Sequence, residues 1–111
     1  TTFSGALHVA CLALLARFPS KGIGLITQTP RHGYMSAQLP YVNAMIEVAQ
    51  YYSIPCLDLN RSSGLYPDSV HYYTNYFYDT NPDAYGLHPN TIGHSVIARQ
   101  ILQFIQKLKP L

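Results

Sequence analysis

Two short apolar runs alternate with helical patterns, and this alternation constrains the fold more than any other feature of the chain. The runs are residues 23–27 (IGLIT) and 54–59 (IPCLDL). Apolar residues recur at helical spacing over 4–17, over about 38–52, and in a closing helix behind Asn90. Nearly continuous apolar strands separated by helices indicate a parallel sheet that is covered on both faces.

Two strands are few for such a sheet. The chain has 111 residues, which suits one domain, and it opens on Thr1 with a helical pattern close behind. We therefore expect further strands upstream or from another chain. On this interpretation residues 1–111 form the carboxyl-terminal part of a single domain. Their partner would be the missing amino-terminal half or a second copy of the chain.

Composition excludes several classes of partner. Charged residues are 11% of the chain, against roughly 25% in typical soluble domains. The net charge of +2 comes from scattered residues without a basic stripe, so we expect no nucleic-acid partner. No apolar run reaches the 18 residues or so of a membrane span. Cys11 and Cys56 fall in apolar patterns and are expected to be buried free thiols, which leaves the compartment open.

Residues 60–87 show no clear period and are rich in tyrosine. A long irregular segment in a compact domain is usually functional or disordered, and this aromatic content argues against disorder. The tyrosines either line a substrate groove or pack the segment onto the domain, and we favour packing for most of them. They are Tyr66, Tyr72, Tyr73, Tyr76, Tyr78 and Tyr85.

A histidine and an acid stand close together before the last helix, where residues 83–94 read DAYGLHPNTIGH. Pro89 restricts the backbone after His88, and Asn90 is a good helix N-cap. An imidazole titrates near neutrality, so His88 can be a general base, and Asp83 could accept its Nδ1 proton. Two alternatives remain open: His88 can be a loop histidine bonded to a backbone carbonyl, and Asp83 can be a turn residue. Asp79 is a weaker candidate for the acid.

The remaining histidines do not predict a metal site. His88 and His94 are six residues apart and do not share a helical face, and no acid completes a ligand set. We therefore expect no metal. His8, His32 and His71 are dispersed and are expected to be ordinary surface or partly packed residues.

The segment 86–94 (GLHPNTIGH) resembles the last conserved block of the SGNH hydrolases, also called GDSL esterases or lipases. Residues 23–31 are similar to that family's penultimate strand and its loop, and residues 54–59 are similar to its final strand. The resemblance covers essentially the whole chain but only the carboxyl-terminal half of the family's domain.

The resemblance implies a three-layer, flavodoxin-like parallel sheet and a serine esterase without metal or cofactor. Its substrate would be a small acyl or acetyl ester, including carbohydrate-linked ones. His88 would be the general base. The family's acid stands three residues before the histidine, where this chain has Tyr85, so Asp83 is the nearest substitute.

The chain has no Gly-Asp-Ser motif, so the nucleophile and the oxyanion donors would lie upstream of Thr1. We therefore expect the isolated chain to be inactive. The rival hypothesis, from a different class, is a non-catalytic carbohydrate-binding module that uses the tyrosine-rich segment 66–85.

Overall fold

A computed structural model describes residues 2–78 and 86–108 of the protein. The elements in chain order are α1 (Phe3–Arg17), β1 (Leu25–Ile26), α2 (Met35–Tyr51), β2 (Cys56–Leu57), α3 (Leu59–Ser62), α4 (Val70–Tyr76) and α5 (Thr91–Lys107). The three long helices and two strands follow the predicted order. The segment after β2 was predicted to be irregular, and there the prediction is wrong because α3 and α4 lie in it.

Two of the long helices begin at a side-chain cap, and one of these caps, Asn90, was predicted from the sequence. Thr2 caps α1 by accepting a hydrogen bond from Gly5 N at 2.9 Å, and Asn90 caps α5 by accepting one from Gly93 N at 3.0 Å. Each cap satisfies a backbone donor that the first helical turn leaves free. Helix α2 begins earlier than predicted, so Pro40 lies inside it rather than in its first turn.

The two strands pair in parallel, as predicted. Leu25 is opposite Cys56 and Ile26 is opposite Leu57. Beyond the last pair, Thr27 N donates to the Leu57 carbonyl at 2.9 Å. The residues that follow both strands therefore leave the sheet at the same edge.

The expected three-layer, flavodoxin-like parallel sheet is wrong. The described residues contain two strands of two residues each, and helices hold 60% of these residues. The apolar runs are longer than the strands for local reasons. Pro55 has no N–H with which to extend a ladder, and the side chains of Thr27 and Asp58 bond each other just past the last pair. Apolar character alone therefore predicted longer strands and a larger sheet than the described residues form.

Two small hydrophobic clusters hold the helices to the strands. The first, between α1, α2 and the strands, consists of Cys11, Val48, Ala49 and Ile54. The second joins α3, the α3–α4 loop, the residue after α4, and α5, and consists of Leu59, Leu65, Phe77 and Ile97. The second cluster packs Phe77, the residue after α4, against α5.

Much apolar surface stays uncovered on the helices. Leu12 on α1 and Leu102 on α5 are more than half exposed, at 56% and 57%. No helix in the described part of the chain is long and apolar enough to cross a membrane. The exposed apolar helix faces thus account for the low fraction of charged residues.

Candidate functional site

His88 lies on a short segment whose backbone is tied down on both sides. Its carbonyl accepts a hydrogen bond from Tyr78 N at 3.0 Å, and Pro89 forms an antiparallel bridge with Phe77. Phe77 is itself buried in the second hydrophobic cluster. The His88 side chain is exposed to solvent. A fixed backbone that carries an exposed imidazole suits a residue that acts on a ligand.

The same segment is joined to the start of α5. Asn90 caps α5 with its side-chain oxygen, while its side-chain amide donates to the Asn75 carbonyl at 2.9 Å. Gly93 packs so closely on the Tyr76 carbonyl that a Cβ at position 93 would overlap it. The end of α4, the His88 segment and the first turn of α5 therefore form one packed unit.

The two acids predicted to orient His88, Asp83 and Asp79, lie in 79–85, outside the described residues. His94 is exposed on the first turns of α5. Among the described residues, no group of three or more His, Cys, Asp or Glu side chains could hold a metal ion.

A polar network lies where the two strands leave the sheet. The Thr27 hydroxyl donates to Asp58 Oδ1 at 3.1 Å and accepts from Asn60 N at 3.1 Å. The Asn60 side-chain amide donates to Gln38 Oε1, which also accepts from Arg31 N. Thr27 and Asn60 are buried, and these bonds satisfy them. The network sets the path of the loop after β1.

The charge of Asp58 is favoured in the folded state. Burial raises the pKa of this carboxyl. This effect of burial is outweighed by the hydrogen bonds that Asp58 accepts from the backbone and side chain of Arg61 and from the Thr27 hydroxyl, and by the positive charge of Arg61. Together these interactions hold the pKa of Asp58 below its ordinary 3.8. Arg61 Nε donates to Asp58 Oδ2 at 3.0 Å. The Asp58 carboxylate therefore has a structural role, in which it links the residues that follow the two strands.

A second histidine, His32, lies beside a carboxylate. Its Nδ1 is 2.8 Å from Asp68 Oδ1. The distance is that of an ion pair, but the ring N–H direction does not meet hydrogen-bond geometry, and Nδ1 is buried. The side chains remain partly open to solvent, at 42% for His32 and 33% for Asp68.

Three neighbours hold this pair in place. Gly33 N donates to Asp68 Oδ1 at 2.7 Å, and the Tyr73 ring lies 5.0 Å from the His32 ring. On the other side, His32 N donates to the Gly86 carbonyl at 3.2 Å, and Gly86 leaves no room for a Cβ against His32. Gly86 is two residues before His88. The pair and His88 therefore lie on adjoining segments.

The expectation that His32 is an ordinary surface or partly packed residue missed this pair. A signal was present in the sequence: His32 follows the first apolar run and Asp68 follows the second. Loops after parallel strands meet at the carboxyl edge of a sheet, which is where such folds place their sites. The distance along the chain between the two residues hid the pairing.

Within the segment 66–85, most of the described tyrosines are used in packing. Tyr72 and Tyr76 pack against the second hydrophobic cluster, and Tyr73 lies against His32. Tyr66 and Tyr78 are each 53% exposed. Tyr85 lies outside the described residues. The structure thus leaves two tyrosines of this segment available to a ligand.

A separate cavity lies away from these histidines. It has a volume of about 360 Å³ and lies between the end of α1, the residues before the two strands and the end of α5. Its lining includes Phe18, Ile23, Pro55 and Lys107, but neither His88 nor the His32–Asp68 pair. It opens at the opposite edge of the sheet from these histidines.

No protein-family model matches the chain, and no curated protein is similar to it. Solved structures do match. A crystal structure of a Lactobacillus plantarum protein has 26% sequence identity and a TM-score of 0.79, over 95% of this chain and 53% of that chain. A second crystal structure has 25% identity and a TM-score of 0.76, over 96% of this chain and 52% of the other.

The chain therefore spans about half the length of the structures it matches. No activity is named for either of them. The resemblance to SGNH hydrolases thus stays a hypothesis, and the function rests on the geometry around His88.

Proposed function

We propose that the chain carries the general base of a serine esterase of SGNH type, and that His88 is this base. The observation that supports the proposal is the exposed imidazole on a backbone pinned by Tyr78, Phe77 and the Asn90 cap. The segment also adjoins the loop that follows β1, through the bond from His32 N to Gly86. Sites of parallel-sheet proteins are found at such carboxyl ends.

In this mechanism His88 takes the proton of a serine hydroxyl while the serine oxygen attacks the carbonyl carbon of a small acyl or acetyl ester. The tetrahedral intermediate then collapses to a serine acyl ester as the substrate's C–O bond breaks, and His88 gives the proton to the leaving alcohol. In the second half, His88 takes a proton from water, the water oxygen attacks the acyl carbon, and the serine leaves with that proton as the acid is released. We assign Asp83 as the acid that orients the imidazole. The nucleophile and the oxyanion donors would come from outside these residues, since no serine of the chain stands in a Gly-Asp-Ser motif.

The proposal is tested on the longer parent protein with p-nitrophenyl acetate. We expect His88→Ala to lower kcat by at least about a hundredfold, because a positioned base typically contributes that much. His94→Ala is the matched control, since this histidine is also exposed and lies six residues away. Full activity in His88→Ala, or an equal loss in both variants, would remove His88 from the mechanism.

The acid has its own comparison. Asp83→Asn should impair turnover and Asp79→Asn should not. The reverse result would transfer the role to Asp79.

The same mechanism implies that the chain needs a partner, the upstream segment that would carry the serine nucleophile. Without a serine nucleophile, turnover is expected to fall on the order of a million-fold, so the isolated chain should be inactive. Co-expression with the upstream segment should restore ester hydrolysis and yield a stoichiometric complex. Turnover by the purified 111-residue chain that is abolished by changing one of its own serines would contradict this.

A non-catalytic carbohydrate-binding module is the second candidate, and the half-exposed rings of Tyr66 and Tyr78 favour it. In that case a polysaccharide would bind the chain without being cleaved. Tyr66→Ala would then weaken binding, and His88→Ala would leave it unchanged. Ester turnover that depends on His88 would decide for the enzyme.

A further inference from the structure

We propose that His32 and Asp68 form a hydroxyl-recognition site that selects esters of polyhydroxy alcohols, such as glycerol or sugar esters, over simple alkyl esters. The inference rests on the proposed esterase function, because it names the alcohol part of that substrate. In this proposal His32 and Asp68 contact the substrate, and His88 transfers the proton.

The chemistry of the pair favours hydroxyl donors. Asp68 lies against Nδ1 of His32, and a carboxylate there favours the tautomer that carries its proton on Nδ1. The other ring nitrogen, Nε2, is then a hydrogen-bond acceptor, and the His32 side chain is 42% exposed. The partly exposed carboxylate of Asp68 adds further acceptor sites. Two neighbouring acceptors match a ligand that presents two hydroxyl groups.

Contacts with neighbouring residues position both side chains of the pair. Gly33 N fixes the carboxylate, the Tyr73 ring lies beside the imidazole, and Gly86 closes against the His32 Cβ. Three separate segments therefore converge on two side chains. A recognition site needs groups that are positioned before the ligand arrives, since ordering them on binding would weaken affinity.

The position of the pair connects it to the ester-cleaving site. His32 N is bonded to the Gly86 carbonyl, and His88 follows Gly86 by two residues. An ester whose carbonyl is near His88 would extend its alcohol part across this short segment. The hydroxyl groups of that alcohol would then reach His32 and Asp68.

The test compares two substrates that share an acetyl group, glycerol monoacetate and ethyl acetate, using the longer parent protein. His32→Phe keeps a ring beside Tyr73 but removes the acceptor, and Asp68→Asn keeps an oxygen for Gly33 N but removes the charge. For both variants we expect kcat/KM on glycerol monoacetate to fall about 10- to 100-fold, mainly through KM. Turnover of ethyl acetate should stay within about twofold of the wild-type rate. His71→Phe, at an exposed histidine of α4, is the control and should change neither substrate.

Equal losses on both substrates would show a structural or catalytic role, and no loss on either would show no role, so both results overturn the inference. If the wild-type parent cleaves neither ester, the esterase proposal fails, and the hydroxyl site is decided by binding. Glycerol is then titrated while the His32 ring protons, assigned with His32→Phe, are followed by NMR. A saturable shift supports the site, and no shift refutes it.

Discussion

The Thr27 hydroxyl donates a hydrogen bond to Asp58 Oδ1 at 3.1 Å, joining the residue after the first strand to the residue after the second. Asp58 also accepts from the backbone and side chain of Arg61, and its side chain is 17% exposed. The two strands pair over only two residues each, so this link supplies much of the order at the carboxyl edge.

Asp58 should make the stability of the protein depend on acid pH. Its folded-state pKa is held below the ordinary value, so ionisation favours the folded state. That contribution is complete above the unfolded-state pKa, about pH 4, and is lost as the pH falls through the lower folded-state value. Urea unfolding between pH 2 and 7 should show Asp58→Asn less stable by about 1–3 kcal/mol at pH 7, with the difference shrinking in acid. Glu47→Gln, at an exposed carboxylate, should show no such convergence.

Gly93→Ala should destabilise the protein, whereas Gly5→Ala should not. Both glycines occupy the third position of a helix and donate to the N-cap side chain. A Cβ at 93 would overlap the Tyr76 carbonyl, while a Cβ at 5 would meet only Thr2 Oγ1 at 3.1 Å. We expect thermal or urea unfolding to show a loss of about 1–3 kcal/mol for Gly93→Ala. Gly5→Ala should range from neutral to a gain of up to about 1 kcal/mol. Similar effects of the two changes would mean that the Tyr76 backbone moves away from the added Cβ at little cost in stability.

The two cysteines should react slowly with iodoacetamide at neutral pH. Burial raises the pKa of Cys11, and burial together with the charge of Asp58 raises the pKa of Cys56. The reactive thiolate is therefore scarce at both sites. Mass spectrometry should show Cys56, which is half-buried, modified before the buried Cys11. In denaturant the two rates should converge, and faster labelling of Cys11 in the native protein would contradict its burial.

The isolated 111-residue chain should self-associate through its uncovered helix faces. Leu102 and Ile105 on α5 are 57% and 55% exposed, and burying such side chains against a second surface is favourable. Changing both to Ser should raise the dissociation constant measured by sedimentation about tenfold or more. Gln103→Ser on the same helix is the control. A monomer at all concentrations would refute the association without bearing on His88.

Hydrophobic periodicity, together with the Asn90 cap for α5, predicted the long helices well, because these are local properties. Thr2 and Asn90 begin their helices through bonds to residues three positions away. The parallel pairing of the two apolar runs could also be predicted, since a helix between them leaves little choice. The number of paired residues could not be predicted, because the ladder ends at Pro55 on one side and at the Thr27–Asp58 hydrogen bond on the other.

The sequence by itself determined the three long helices, the parallel strand pair and the place of His88 just before the Asn90 cap. Only the tertiary structure decided that His32 stands beside Asp68. The contact of His32 with Asp68 depends on loop paths set by the Gln38–Asn60 bond and by Gly86, whose φ of 59° places it in the left-handed region. Such contacts join residues far apart in the chain, so no local pattern of side chains encodes them.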